Sequence, residues 1–246
     1  MDLTKLMDGS EHACREVLAE LRWPDGVKCP RCETGRHAYD SDRYVWDCYS
    51  CGYQFSALSG MIFHDTKLPL QKWFLAVFLM VEARKGINAS QMKRALGVSY
   101  KTAWYLCHRI RAAMGSVEWE PLTGAVEIDE RYIGERRNAP RREDGINAVP
   151  KGYNSLANKQ VVMGAVSRNV EEWAKGDVPT STFEPAWSLL RQSIVGSCHR
   201  PSTKHLPAYL DEMEWRFNNR NNDYLFRDTL IRLVTAKALP YSELTT

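Results

Sequence analysis

The chain has 246 residues, a formal net charge of +3, and 44% hydrophobic and 26% charged residues, a composition that suits a protein with a sizeable core. No apolar run reaches the roughly 20 residues that cross a bilayer, and no secretory signal opens the chain, so we expect a cytoplasmic protein with no membrane partner. Seven cysteines, an odd number, argue against a disulfide framework in that compartment. The segment from Arg84 to Arg142 contains twelve Lys/Arg but only six Asp/Glu. This excess of positive charge favours a polyanion partner over a merely solvated surface.

Residues 1–24 have the pattern of a short amphipathic helix that ends at Trp23-Pro24. Ala13, Val17, Leu18 and Leu21 form its apolar stripe.

Residues 25–60 have the cysteine spacing of a zinc ribbon. Two Cys-x2-Cys pairs, separated by fifteen residues, can present four thiolates to one structural zinc ion: Cys29, Cys32, Cys48 and Cys51. Nearby aromatic residues would supply the small core beside the metal: Tyr44, Trp46, Tyr49, Tyr53 and Phe55. A redox or disulfide role is the alternative, but two matched pairs rarely serve it in a cytosolic chain. Cys14, Cys107 and Cys198 lie outside the pattern and are expected to be buried fillers.

Residues 67–116 are predicted to be helical and to contain a helix-turn-helix. A first short helix would open at Asn88 or Ser90 and end at Gly97, and a second would run from about Ser99 to Met114. The second helix would turn a basic and aromatic surface towards DNA. The residues predicted to contact the DNA, called the DNA readers below, are Lys101, Trp104, Tyr105, His108 and Arg109. A helical hairpin that only packs on a neighbour remains the alternative.

Asp129 and Glu184 point to a third kind of site, a catalytic metal site. From Gly124 the apolar residues alternate, which predicts a strand through Ile133 with Glu127 and Asp129 on one face, and "KQVVMGAVSR" predicts its antiparallel partner. On a helix that begins near Phe183, Glu184 and Arg191 share a face. An acid on a strand with an acid and a base on a helix can build a two-metal site for phosphoryl transfer, although an isolated Asp is usually a solvated edge residue.

The motifs "AVEIDERYIGE", "QVVMGAVSR" and "FEPAWSLLRQSIVGSCHRPSTKHLPAYLDEMEWRFNNR", preceded by the cysteine module and the two short helices, resemble an insertion-sequence transposase of the ISXO type. The resemblance implies an α+β protein of several parts, with a ribonuclease-H-like DDE domain over residues 122–246. It also implies catalytic Mg²⁺ or Mn²⁺, with Asp129 as the first acid and Glu184 as the third. Arg191 stands where the family usually has Lys, which keeps the charge but changes its geometry.

As to partners, the resemblance implies cleavage and strand transfer at the terminal inverted repeats of double-stranded DNA. It further implies a homo-oligomer on that DNA and a place near the bacterial nucleoid.

The segment between Arg168 and Phe183 is too short for a complete domain of that kind. Its fourteen residues cannot hold the strand, crossover helix and further strand that would carry the second catalytic Asp, since a crossover alone takes a dozen or more residues. Asp177 and Asp144 are poor replacements. We therefore predict a shortened domain with an internal deletion between 168 and 183, and an impaired transposase. A non-catalytic DNA-binding regulator or transposition inhibitor, and a product that does not fold, are the rival interpretations.

Overall fold

The computed structural model describes residues 10–115, 125–134, 159–168, 183–197, 202 and 204–245. The chain divides into two compact units, one made of Met1–Val117 with Ala208–Thr246 and the other of Glu118–Pro207. The sequence analysis grouped residues 122–246 together, whereas this division places the last helices of the chain in the unit of the first ones. None of the described helices is long and apolar enough to span a membrane.

The first unit begins with helix α1, Glu11–Arg22. Ser10 caps it by accepting a hydrogen bond from the backbone N–H of Ala13, and Cys14 and Leu18 lie on its buried stripe. An antiparallel sheet of three short strands follows, in the order β1 (His37–Asp40), β2 (Val45–Cys48) and β3 (Gln54–Phe55). The small sheet keeps its own core.

Three helices then form the main core. They are α2 (Leu70–Glu82), α3 (Ala89–Leu96) and α4 (Tyr100–Gly115). Helix α2 is apolar nearly all round, as expected of a helix inside a core, and it packs with α1, α3 and α4. The predicted inward face of α4 is confirmed, because Ala103, Leu106, Ile110 and Ala113 are all buried.

The C-terminal helices complete this core. They are α6 (Leu206–Asn218), α7 (Leu225–Thr235) and α8 (Tyr241–Thr245). Leu230, Leu233 and Val234 of α7 belong to the same apolar cluster as α1, α2 and α4. A buried ion pair, Arg111 to Glu212, also joins α4 to α6, with Nε 2.6 Å from Oε2. These apolar and ionic contacts explain why residues 208–246 belong to the first unit.

The second unit is described in three pieces. Strands β4 (Ala125–Gly134) and β5 (Lys159–Arg168) pair antiparallel over their whole length, with Asp129 opposite Gly164. The predicted hairpin is therefore confirmed. Helix α5 (Phe183–Arg191) continues as a π-helical turn, Gln192–Ser197. The predicted deletion, as well as Asp144, Asp177 and Cys198, lies outside the described residues.

Candidate metal centre and nucleic-acid interface

Four cysteines come together at the ends of the small sheet. The ligand atoms of Cys29, Cys32, Cys48 and Cys51 all lie within 4.8 Å of one another. The Sγ atoms of Cys29 and Cys51 are 3.7 Å apart, and those of Cys32 and Cys48 are 3.5 Å apart. Zinc–sulfur bonds of about 2.3 Å in a tetrahedron place the sulfur atoms roughly 3.8 Å apart, so this donor set fits one zinc ion.

The backbone forms a tight turn after the first cysteine of each pair. The N–H of Glu33 donates to the carbonyl oxygen of Cys29 at 2.8 Å, and the N–H of Gly52 donates to that of Cys48 at 2.9 Å. Both turns need a left-handed residue, Glu33 at φ 58° and Gly52 at φ 66°. The matched turns bring the four thiols to one point.

The thiols of Cys48 and Cys32 differ in acidity. Burial raises the pKa of Cys48, but N–H donors from Cys51 and Ser50 and the thiol of Cys32 stabilise its thiolate and lower the pKa to about 7. For Cys32, the N–H of Thr34 lowers the pKa, but burial and the neighbouring thiols outweigh it and raise the pKa to about 12. Of these two thiols, Cys48 therefore offers a thiolate to a metal more readily.

An aromatic cluster packs beside the thiols. Phe55 is buried, and Trp46 stacks on it with ring centroids 5.9 Å apart. Trp23 meets the edge of Trp46 at 5.4 Å, which ties the end of α1 to the sheet. The expectation that Tyr49 belongs to this core is wrong, because Tyr49 lies on the turn after β2 and is 69% exposed. Cys14 and Cys107 are fully buried, as expected of fillers.

The pair of helices α3 and α4 meets at a sharp turn. Asn88 and Gln91 form a capping box at the start of α3, and Gly97 ends that helix in the left-handed conformation at φ 62°. At the start of α4 the N–H of Thr102 donates to Ser99 Oγ at 3.1 Å. The exposed surface around this turn is formed by the end of α3 and the start of α4, and includes Lys93, Arg94, Tyr100, Lys101 and Thr102.

Two of the five predicted DNA readers are buried, which corrects the expected orientation of the second half of α4. His108 is 1% exposed and Arg109 is 5% exposed. Arg109 Nη2 donates to the carbonyl oxygens of Ile62 and His64, and its guanidinium lies 5.0 Å from the ring of Trp73. The helical period predicted an outward face, but the segment before α2 covers Arg109, and the ring of Tyr209 on α6 lies 5.7 Å from that of His108.

The other three predicted readers keep some access to solvent. Lys101 is exposed, with Nζ 4.7 Å from the ring of Tyr241 on α8. Tyr105 donates its hydroxyl to the carbonyl oxygen of Leu239 at 2.6 Å, and Trp104 packs on Tyr241 with ring centroids 6.4 Å apart. Both aromatic residues are half-buried, so Lys101 is the predicted reader that is most accessible.

The acidic strand residue meets helix α5. Trp187, 7% exposed, donates its indole N–H to Asp129 Oδ2 at 2.7 Å, and the N–H of Glu130 donates to Asp129 Oδ1 at 2.8 Å. Trp187 lies one turn after Glu184 in α5, so the contact brings Asp129 to the helix that contains Glu184. The side chain of Glu184 lies outside the described residues, and Arg191 is exposed at the end of α5.

Two segments of the chain match known families. Residues 9–54 match the transposase zinc-ribbon domain, and residues 151–218 match the ISXO2-like transposase domain. The resemblance to insertion-sequence transposases is confirmed. The first match contains all four cysteines of the metal centre, and the second contains β5, α5 and the whole of α6.

One curated relative supports the same family. A protein of Halobacterium salinarum, described as an uncharacterized protein in transposable element ISH50, is 33% identical over 153 residues. The alignment covers 58% of this chain and 50% of the relative, so the chain spans about half the length of the curated relative that it matches. No solved structure matches.

Sequence reasoning missed the exposed basic residues at the end of α3. Lys93 and Arg94 were assigned no role, although from Ala83 to Val117 the chain has seven Lys/Arg and no Asp or Glu. That stretch was the signal that could have identified them. The role of Trp187 as a hydrogen-bond donor to Asp129 was also missed, since the apolar stripe of α5 predicted only that Trp187 is buried.

Proposed function

We propose that this insertion-sequence protein binds double-stranded DNA at the terminal inverted repeats through the turn between α3 and α4. The observation that carries the proposal is the exposed basic surface of Lys93, Arg94 and Lys101, in a stretch without a single carboxylate side chain. In a helix-turn-helix the residues at the start of the second helix contact the base edges, and Tyr100, Lys101 and Thr102 have that position here.

The test replaces the three exposed cations together, as Lys93→Gln, Arg94→Gln and Lys101→Gln. If each contacts one phosphate, the slope of log K against log salt should become shallower by about 2.7, because each contact contributes about 0.9. Binding to the inverted repeats of the element would be measured by fluorescence anisotropy between 50 and 200 mM salt.

A matched control removes three exposed cations elsewhere in the same unit, as Lys67→Gln, Arg220→Gln and Arg227→Gln. Both triple variants lose the same net charge, so a general electrostatic attraction would weaken equally in the two. Equal salt slopes for both variants would show that the turn between α3 and α4 is not the DNA-binding surface.

A second function, metal-dependent cleavage and strand transfer, is favoured by the contact between Asp129 and α5. A carboxylate that is held by two hydrogen bonds against the helix of Glu184 is oriented as a metal ligand should be. Asp129 and Glu184 would hold the ions, and Arg191 would offer a guanidinium to a phosphate. Bound Mg²⁺ or Mn²⁺ would supply the activation of water and of a 3′-hydroxyl for attack on a phosphodiester.

The rival is a regulator or inhibitor that binds DNA and does not cut it. In the part of the chain that the structure describes, the four cysteines are the one set of three or more potential metal ligands within reach of each other. A deletion between 168 and 183 would account for an incomplete acidic site, and a homo-oligomer could still form on the DNA.

Mg²⁺-dependent nicking of a labelled inverted-repeat duplex separates these alternatives. Nicking that Asp129→Asn abolishes, while DNA affinity stays the same, supports the transposase. Tight binding with no nicking in Mg²⁺ or Mn²⁺ supports the regulator. Neither result depends on which helix binds the DNA.

A further inference from the structure

A groove separates helix α1 from the small sheet of the first unit. Its volume is about 240 Å³, and its walls are the outer face of α1 on one side and the β1–β2 hairpin on the other. The α1 wall contributes Arg15, Glu16 and Glu20, and the hairpin wall contributes Tyr39, Tyr44 and Trp46. None of the four cysteines lines the groove, although Trp46 also packs beside them, and neither of the proposed functions uses the groove.

The hairpin wall is an aromatic platform. Tyr39 and Trp46 are opposite each other in the register of β1 and β2, and their ring centroids are 4.7 Å apart. Tyr39 is 45% exposed, although aromatic rings of this size are usually covered when they pack on one another. The faces of such rings carry negative charge, which attracts ammonium and guanidinium groups.

The α1 wall adds two exposed carboxylates and one cation, and Glu16 Oε2 lies 3.3 Å from Nδ1 of His12. Glu16 and Glu20 are four residues apart, so they lie on the same face of the helix. Arg15 is already engaged, since its guanidinium lies 3.6 Å from Glu11 and 5.3 Å from the ring of Tyr44. After burial, Glu16 is the largest cause of the raised pKa of Tyr39, which agrees with a negative potential at the platform.

These features select a small organic cation over the other ligands that an aromatic groove can take. Single-stranded nucleic acid needs a positively charged groove for its backbone, whereas two carboxylates and one cation line this one. A drug-sized ligand needs about 300–1,000 Å³, so about 240 Å³ suits a single side chain. The contact of Arg15 with Tyr44 shows that a guanidinium already packs on one ring of this groove.

We propose that this groove binds an alkylguanidinium or alkylammonium group, as in the side chain of arginine or lysine on a partner peptide. The cation packs on Tyr39 and Trp46, and Glu16 and Glu20 neutralise its charge. The site gives the zinc-ribbon end of the protein a surface for a basic peptide, separate from the surface for DNA.

The experiment titrates the full zinc-loaded chain with acetyl-arginine-amide and follows the indole N–H signal of Trp46 by NMR. Trp46→Phe assigns that signal among the eight tryptophans. The neutral isostere acetyl-citrulline-amide is the matched probe. We expect a saturable shift of the Trp46 signal with the arginine probe and none with the citrulline probe. Spermidine, a free polyamine, distinguishes the source: tighter binding of an arginine-containing tripeptide than of spermidine supports a peptide ligand.

Variants locate the site. Glu16→Gln with Glu20→Gln should weaken the arginine probe about tenfold, since two exposed ion pairs together contribute about that factor. Tyr39→Leu keeps an apolar side chain, and because it removes the ring it should weaken binding of the arginine probe several-fold. Glu82→Gln, an exposed glutamate at the end of α2, should change nothing. The proposal is overturned if both probes shift Trp46 equally, if the Glu16/Glu20 variant binds as the native chain does, or if spermidine binds more tightly than the tripeptide.

Discussion

The ion pair between α4 and α6 gives the sharpest test of the way the first unit is assembled. Glu212 is 2% exposed and lies between two guanidinium groups, with Arg111 Nε 2.6 Å from Oε2 and Arg216 Nη2 3.2 Å from Oε1. Glu212→Gln keeps the shape of the side chain and removes its charge. The buried Arg111 and the partly buried Arg216 then lose their shared anion.

The expected loss of stability follows from burial. Breaking a buried pair by neutralising one partner costs about 3–5 kcal/mol, because the remaining charge is left without compensation. Arg111 and Arg216 also donate to backbone carbonyl oxygens, Arg111 to Ile87 at 3.3 Å and Arg216 to Ala83 at 2.6 Å, so these bonds hold both guanidinium groups in place in the variant. For a protein of this length we expect the melting temperature to fall by roughly 6–20 °C.

Urea unfolding of the full chain, followed by circular dichroism, measures the change. Glu214→Gln is the matched control, since Glu214 is exposed on the same helix and its replacement should stay within about 0.5 kcal/mol of the native chain. If Glu212→Gln costs less than about 1 kcal/mol, Glu212 is not the buried partner of Arg111, and the packing of α6 on α4 is refuted.

Three further predictions concern the metal, a turn and a carboxyl. Zinc removal by a chelator should unfold residues 25–60, and unchanged dispersion of their amide signals would contradict the metal site. Gly97→Ala should cost about 1 kcal/mol in urea unfolding, because φ is 62° while the space around Gly97 is open; a neutral result would mean that the turn is not left-handed. Burial, then Glu214, raises the pKa of Asp211, and a carboxyl with a raised pKa destabilises the fold once the pH exceeds its unfolded value. Asp211→Asn should therefore raise the melting temperature at pH 7 and leave it unchanged below about pH 3.9; an equal gain at both pH values would exclude this cause.

The sequence predicted those features that depend on local spacing. The Cys-x2-Cys pairs, the helix stop at Gly97 and the hairpin of β4 and β5 each follow from a few neighbouring residues, and all three are found in the structure. The apolar residues Val126 and Ile128 of β4, however, are 42% and 64% exposed. The burial of Arg109 was out of reach, because its partners Ile62 and His64 are 47 and 45 residues away. A helical period gives the two faces of a helix, but it does not say how many neighbours cover them.

The contact between Asp129 and Trp187 could not be predicted from local patterns either. The alternation on β4 predicted that Asp129 points to one face of the hairpin, and the stripe of α5 predicted that Trp187 is buried. Their contact at 2.7 Å joins residues that are 58 positions apart, and no local pattern connects them. The residues alone suggested a two-metal site from Asp129 and Glu184 but left a solvated edge residue as the more usual outcome for the acid on the strand, and the family resemblance favoured the pairing.

The order of synthesis matters for a chain whose first unit closes with its last helices. Arg111 leaves the ribosome 101 residues before Glu212, and α7, which fills the core of α1, α2 and α4, follows later still. In a nascent chain that has reached Pro207, Arg111 and the apolar core of α1, α2 and α4 are therefore still exposed to water. Such a chain exposes apolar surface and is prone to aggregate until α6 and α7 are made. A premature stop codon just after Pro207 would therefore leave all residues of the second unit in place but deprive the first unit of its closing helices.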